Sequence, residues 1–89
     1  MQLCVYYEDN ESYLSELVGR PKTDGGFVWK RSRLTMNDGK TFQVMKESAI
    51  SATSVNNIFH VFFVASRGEI IHAFWTSAGW NWKVVAGDN

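Results

Sequence analysis

Residues 59–83 read FHVFFVASRGEIIHAFWTSAGWNWK and hold three of the four tryptophans, both histidines and four of the six phenylalanines. β-Branched and aromatic runs bounded by small polar residues and glycine read as strands joined by tight turns. Ser66-Arg67-Gly68 and Thr76-Ser77-Ala78-Gly79 are the interruptions, so the stretch predicts antiparallel strands over 58–65, 69–75 and 80–85. The first is nearly all apolar and is expected at the centre of a sheet, covered on both faces. Ahead of it Ala49–Val55 (AISATSV) is small and β-branched, suited to a tightly packed inner strand, and Asn56-Asn57 is a turn. The four strands form a meander, the unit of a β-propeller blade.

The stretch has a weaker copy near the N-terminus. Leu3-Cys4-Val5-Tyr6-Tyr7 lies over Phe59-His60-Val61-Phe62-Phe63, and Gly26-Phe27-Val28-Trp29-Lys30 over Gly79-Trp80-Asn81-Trp82-Lys83. An internal repeat of this kind fixes architecture more firmly than any single element. Gln2–Tyr7 reads as a strand, Glu8–Glu11 as a turn and Ser12–Val18 as the return strand. A helix over Glu11–Gly19 competes there, because Leu14, Leu17 and Val18 stand at helical spacing. Gly19–Gly26 is a loop by its glycine and proline content. Phe27–Leu34 alternates apolar and basic residues, as an exposed edge strand does. Asn37-Asp38-Gly39 is a turn, Thr41–Met45 a further strand, and Lys46-Glu47-Ser48 its end. The expectation is an all-β single domain, with a first, incomplete blade over 1–47 and a second over 48–89. The first copy shows no small inner strand, which is left to the N-terminus, the tail or another copy of the chain.

Composition narrows the function. The 89 residues are 45% apolar and 15% aromatic, with nine basic and nine acidic side chains. A chain this short buries roughly 60–70% of its extended surface and is marginal alone. Zero net charge gives no bulk attraction to nucleic acid or to an anionic membrane, and little resistance to self-association. No apolar run approaches the roughly 20 residues of a membrane span, so no membrane insertion is expected. No secretory leader is visible, and the compartment stays open between the cytoplasm and a non-classical export route. The single cysteine excludes an internal disulfide and a Cys₂His₂ zinc site. No nucleophile elbow, phosphate loop or HExxH motif occurs, and the acids Asp9, Glu11, Asp24, Asp38 and Asp88 sit in turns or the tail. Neither catalysis nor a metal or cofactor is expected.

Five residues stand out as candidate ligand contacts. Trp75 and Trp80 offer indole faces for the C–H face of a sugar and N–H groups for a hydroxyl, although aromatics also dominate small β cores. His60 and His72 are both even-numbered across one hairpin; if the turn keeps even register, they share a face within one direct or diagonal step. They offer hydrogen bonds to sugar hydroxyls, ligands to a metal or a pH sensor, or are histidines satisfied within the fold. Glu16 offers a carboxylate acceptor or is a solvated strand residue. Trp29 and Trp82 match each other in the repeat and read as structural. Cys4 reads as a small buried hydrophobe. Lys30-Arg31-Ser32-Arg33 reads as a solvated edge.

The whole pattern resembles the fucose-binding lectins of the fungal and bacterial six-bladed propeller family. Ser48-Ala49-Ile50-Ser51-Ala52-Thr53-Ser54 is similar to the inner strand of that family's blade, Phe59–Phe63 to its second strand, Gly68-Glu69-Ile70 with Trp75 to its third, and Gly79-Trp80 to its closing Gly-Trp. Leu3–Asp9 and Glu16 follow the same pattern in the first copy. The resemblance covers about two thirds of the chain. It implies a non-catalytic lectin that binds fucosylated or related glycans, with two blades per chain and a homotrimer completing the ring. It also implies an Arg on the second strand and a Glu twelve residues later as sugar ligands. Here those positions hold Cys4 and Glu16 in the first copy, and His60 and His72 in the second, so neither copy carries the complete pair.

Overall fold

The computed structural model describes residues 2–87. Seven strands form two antiparallel sheets, and among the described residues no helix occurs. The first sheet is β1 (Leu3–Glu8), β2 (Leu14–Pro21) and β3 (Phe27–Arg33), paired in sequence order. The second is β4 (Ile50–Val55), β5 (Ile58–Val64), β6 (Ile70–Thr76) and β7 (Gly79–Ala86), also in order. The all-β expectation and the four-stranded meander are therefore present. The helix over Glu11–Gly19 does not form: Leu14, Leu17 and Val18 sit on β2, where β1 and β3 supply ladder partners on both sides. β2 also runs further than expected, through Gly19 and Arg20 to Pro21, because β3 pairs it residue for residue to Pro21↔Phe27.

Turn chemistry sets the hairpins. Asn56 and Asn57 both take positive φ (52° and 65°), the backbone of a type I′ turn that matches strand twist. The β1–β2 turn is built on Asp9. Its carboxylate accepts from the Glu11 and Tyr13 N–H groups at 2.9 Å each and from the Ser15 hydroxyl at 2.8 Å. Arg33 closes the cluster, reaching Asp9 at 3.4 Å and Glu11 at 3.0 Å with its guanidinium over the Tyr13 ring. Partial burial works against the Asp9 charge, but these hydrogen bonds and Arg33 hold its carboxyl below the usual range.

Thr41–Met45 is not a strand of either sheet. Thr41, Gln43 and Val44 make isolated bridges, to Thr35, Tyr13 and Ala65 respectively. The whole segment 34–45 is a clasp threaded between the sheets. Leu34 N–H donates to Leu14 C=O, Leu14 N–H to Phe42 C=O and Val44 N–H to Ser12 C=O on the first side. On the second side Asn37 N–H donates to Trp80 C=O, and Met45 N–H to Val64 C=O. Its apolar side chains Leu34, Met36, Phe42 and Val44 are buried with Leu14 of the first sheet and Val61, Phe63, Ile71, Ala73 and Trp80 of the second. Phe42 meets Phe63 and Trp82 edge to face at 5.5 and 5.0 Å. Trp82 also donates its indole N–H to Asp38 at 3.1 Å, which gives it the structural role expected from the repeat.

Alternation assigns each sheet two faces. On β5 and β6 the odd residues Val61, Phe63, Ile71 and Ala73 face the core, and on β1–β3 the even residues Cys4, Tyr6, Glu16 and Val18 turn the same way. The opposite faces are uncovered. β5 is central but covered on one face only, since Ile58 and Phe62 are exposed, which corrects the expectation of two covered faces. β4 is likewise an exposed edge strand and not a packed inner one. Trp29 is exposed on the outer face of the first sheet, lying flat on Gly19, where a Cβ would come within 2.6 Å of its ring. The radius of gyration, 13.7 Å, exceeds the roughly 12 Å of a compact chain of this length.

Truncating the clasp tests this arrangement. Phe42→Ala is expected to cost about 3–5 kcal/mol, a large part of a small domain's stability. Urea unfolding followed by tryptophan fluorescence measures it. A loss under about 1 kcal/mol would contradict a core centred on the clasp.

Candidate functional site

The even face of β1–β3 and the core face of β4–β7 diverge beyond the clasp and leave a cleft of about 500 Å³. That size falls in the range of small-molecule sites, roughly 300–1,000 Å³. Glu16, Val18 and Arg20 of β2 line one wall, alternate residues on one strand, with Cys4 of β1 and Lys30 of β3 beside them. Trp75, Trp80 and Phe59 line the other.

The two tryptophans differ in role. They are direct cross-strand partners with rings 5.7 Å apart and nearly perpendicular. Trp80 is 7% exposed and belongs to the core, held by Tyr6 edge to face at 5.8 Å. Trp75 is 44% exposed and presents its ring to the cleft. A buried indole thus braces an open one.

Glu16 is directly opposite Tyr6 on β1, and both are about half-buried. Burial pushes the Glu16 carboxyl above its ordinary value, with the neighbouring Tyr6 hydroxyl opposing the shift. Burial, and then the Glu16 charge, push the Tyr6 hydroxyl far above the usual phenol range. The Tyr6 oxygen is fully enclosed and lies beside Glu16 and Cys4 without reaching hydrogen-bond geometry to either. Cys4 is partly exposed on the cleft wall and not the buried hydrophobe expected; partial burial raises its thiol pKa. A thiol raised in this way is a poor nucleophile. Arg20 and Lys30 are exposed at the cleft, and among the described residues neither forms an ion pair.

The structure therefore brings Glu16, Trp75 and Trp80 together and leaves His60 and His72 outside. The reason is strand parity. His72 and Trp75 are three apart on β6, so they point to opposite faces of one strand. His60 and His72 do share a face, as their numbering implied, and His60 Nδ1 lies 2.8 Å from His72 Nε2. That face is the outer one, where Phe62 stacks on His72 at 4.4 Å. The histidines satisfy each other and do not reach the cleft. No group of three or more metal-ligating side chains gathers among the described residues.

The repeat carries this further. Cys4 and Glu16 occupy the places in the first copy that His60 and His72 occupy in the second. In one sheet those places face inward to the cleft, and in the other they face outward. Arg20, Val28 and Gln2 were not singled out from the sequence, and Lys30 was read only as part of a solvated edge, although the alternation Glu16, Val18, Arg20 on one strand was available to place them together. Comparison with known protein families, curated proteins and solved structures finds no match to this chain.

The enclosed Tyr6 hydroxyl yields a test of the site's interior. A buried hydroxyl without a partner contributes nothing, so Tyr6→Phe is expected to leave stability unchanged or to raise it slightly. A loss of more than about 1.5 kcal/mol in chemical denaturation would show that the hydroxyl bonds Glu16 in solution.

Proposed function

We propose that the chain is a non-catalytic carbohydrate-binding module whose site is the cleft between its two sheets. The observation that carries this is the exposed Trp75 ring, braced by Trp80 and facing a wall that bears Glu16. A saccharide ring has an apolar C–H face for an indole and hydroxyls for a carboxylate, and the two walls offer these on opposite sides of one space. Fucose or a related monosaccharide fits the resemblance in the strand motifs. Cys4 stands where that resemblance implies an arginine; the guanidinium in the cleft is instead that of Arg20, two strand repeats along the same face from Glu16. The histidine pair takes no part in this cleft.

One such cleft is a weak site, and several in one assembly supply affinity through avidity. Each chain leaves one apolar sheet face uncovered at either side: Leu3, Val5 and Trp29 on the first sheet, and Ile58, Phe62 and Ile70 on the second. Different faces of one chain seated on each other form a heterologous contact, which closes into a ring when the rotation allows it. Packing within the chain already joins the first sheet to the second, and repeating that step between copies gives a homotrimer with six sheets. A second reading, a protein-interaction domain that has no sugar site, is favoured by the cysteine at the arginine position.

Titration with fucose and an array of fucosylated and neutral glycans decides between them. The lectin reading expects binding at micromolar to millimolar ligand, weakened at least about tenfold by Trp75→Ala, a loss of roughly 1.4 kcal/mol. Glu16→Gln is expected to weaken it as well. Binding is also expected to weaken as pH falls through the raised Glu16 titration, because the protonated carboxyl loses acceptor capacity. No binding to any glycan at millimolar concentration would leave the interaction-domain reading. Light scattering on the eluting protein is expected to give about three times the 10.1 kDa chain mass.

A further inference from the structure

The first-sheet wall of the cleft is a grid set by strand register. Val18 is opposite Cys4 on β1 and Lys30 on β3, while Glu16 is opposite Tyr6 and Ser32, and Arg20 is opposite Val28. Lys30 and Arg20 are therefore diagonal neighbours on one face, near enough for two long side chains to meet at one ligand group. Both are exposed, both line the cleft, and among the described residues neither has an acid partner. The other cations of this half of the chain are placed differently. Lys22 and Arg33 pair with acids, and Arg31 is opposite Leu17 on the outer face.

Charge in the cleft is separated along its length. The second-sheet wall supplies aromatic rings, Phe59, Trp75 and Trp80, and no charge. The carboxylate of the cleft is that of Glu16, four residues from Arg20 along β2, or about 13 Å at the usual rise of a strand. Trp80 meets Tyr6, the cross-strand partner of Glu16, so the braced indoles stand toward the Glu16 end. One end of the cleft thus offers aromatic rings and a hydroxyl acceptor, and the other offers two cations.

We propose that the cleft selects acidic saccharides, with a sugar ring against Trp75 and Glu16 and a carboxylate or sulfate of the same ligand held by Lys30 and Arg20. The inference rests on the carbohydrate reading above and names the class of sugar that this cleft takes.

The chemistry of the two ends carries it. A guanidinium presents a fork of N–H donors that matches two oxygens of one anionic group, and an ammonium adds a compact charge beside it. Hydrogen bonds of this kind are roughly twice as strong as neutral ones. An anion arriving here displaces no acid from either cation. A neutral saccharide leaves both cations to water and gains only the aromatic end. An acidic group turned the other way meets Glu16 and is repelled, so the same separation fixes the direction in which the sugar lies. The chain has no net charge, and the preference therefore comes from these two side chains and not from bulk attraction.

The test sets each acidic ligand against a neutral twin. One pair is a uronic-acid disaccharide and the same disaccharide with its carboxyl reduced to the alcohol; the other is a sulfated disaccharide and its unsulfated form. NMR titration of the full chain gives the dissociation constants. The acidic member of at least one pair is expected to bind at least about tenfold more tightly, the equivalent of one hydrogen bond to a charged group. The pair with the larger ratio identifies the anion. Added salt is expected to shrink that ratio. Arg20→Gln/Lys30→Gln changes two exposed side chains, with circular dichroism as the check on folding, and is expected to bring the ratio to about one. A wild-type ratio near one for both pairs, or a preference that survives in the double variant, overturns the inference and leaves the carbohydrate reading standing. An acidic preference whose binding Trp75→Ala does not weaken places the anion outside the cleft and also overturns it. Binding of no glycan, acidic or neutral, overturns the carbohydrate reading and this inference with it.

Discussion

The structure depends on one packing event: the segment 34–45 wedged between two sheets that make few direct contacts of their own. Leu14, Phe42 and Phe63 are the middle of it, and backbone hydrogen bonds run from the segment to both sides. Three or four strands with one covered face gain stability only when that face is buried. The clasp supplies the burial for both sheets at once. It also holds their far portions apart, and the cleft with Trp75 and Glu16 on opposing walls is the space that results.

A repeated sequence placed in two settings is the second theme. The positions held by Cys4 and Glu16 in the first copy return as His60 and His72 in the second. Packing makes the first pair part of an enclosed wall and leaves the second pair on an open face. The chemistry follows the setting. Glu16, half-buried and next to Tyr6, is an acceptor aimed into a cavity. The histidines have only each other to bond, among phenylalanines. One motif thus lines a cleft wall at one occurrence and an open face at the other.

Much of the fold was legible, because period-2 alternation and turn residues are local signals. Asn56-Asn57, Asn37-Asp38-Gly39 and the 58–85 meander stand where the residues put them. The closeness of His60 and His72 also followed from parity across a short hairpin. The clasp was not legible. Phe42 and Val44 alternate like strand residues, but their neighbours Thr41 and Gln43 pair with different partners, a tertiary fact that no local pattern encodes. Burial of the second face of β5 was misjudged for a related reason: an apolar strand announces that it seeks cover, not whether its own chain provides it. At the site the same parity rule was applied to the histidines and not to the tryptophans. Counting from His72 to Trp75 along β6 separates them, and the cleft residues Arg20 and Lys30 follow from the same counting on β2 and β3.

The central claim is that ligand binds between the sheets, against Trp75. The four indole N–H signals of the ¹⁵N-labelled chain report on it directly, because Trp75 and Trp80 line the cleft while Trp29 and Trp82 lie elsewhere. Addition of a binding glycan is predicted to shift Trp75 most, with Trp80 following and the other two unmoved. Shifts confined to Trp29 or Trp82 would contradict the account and move the site to another face of the molecule.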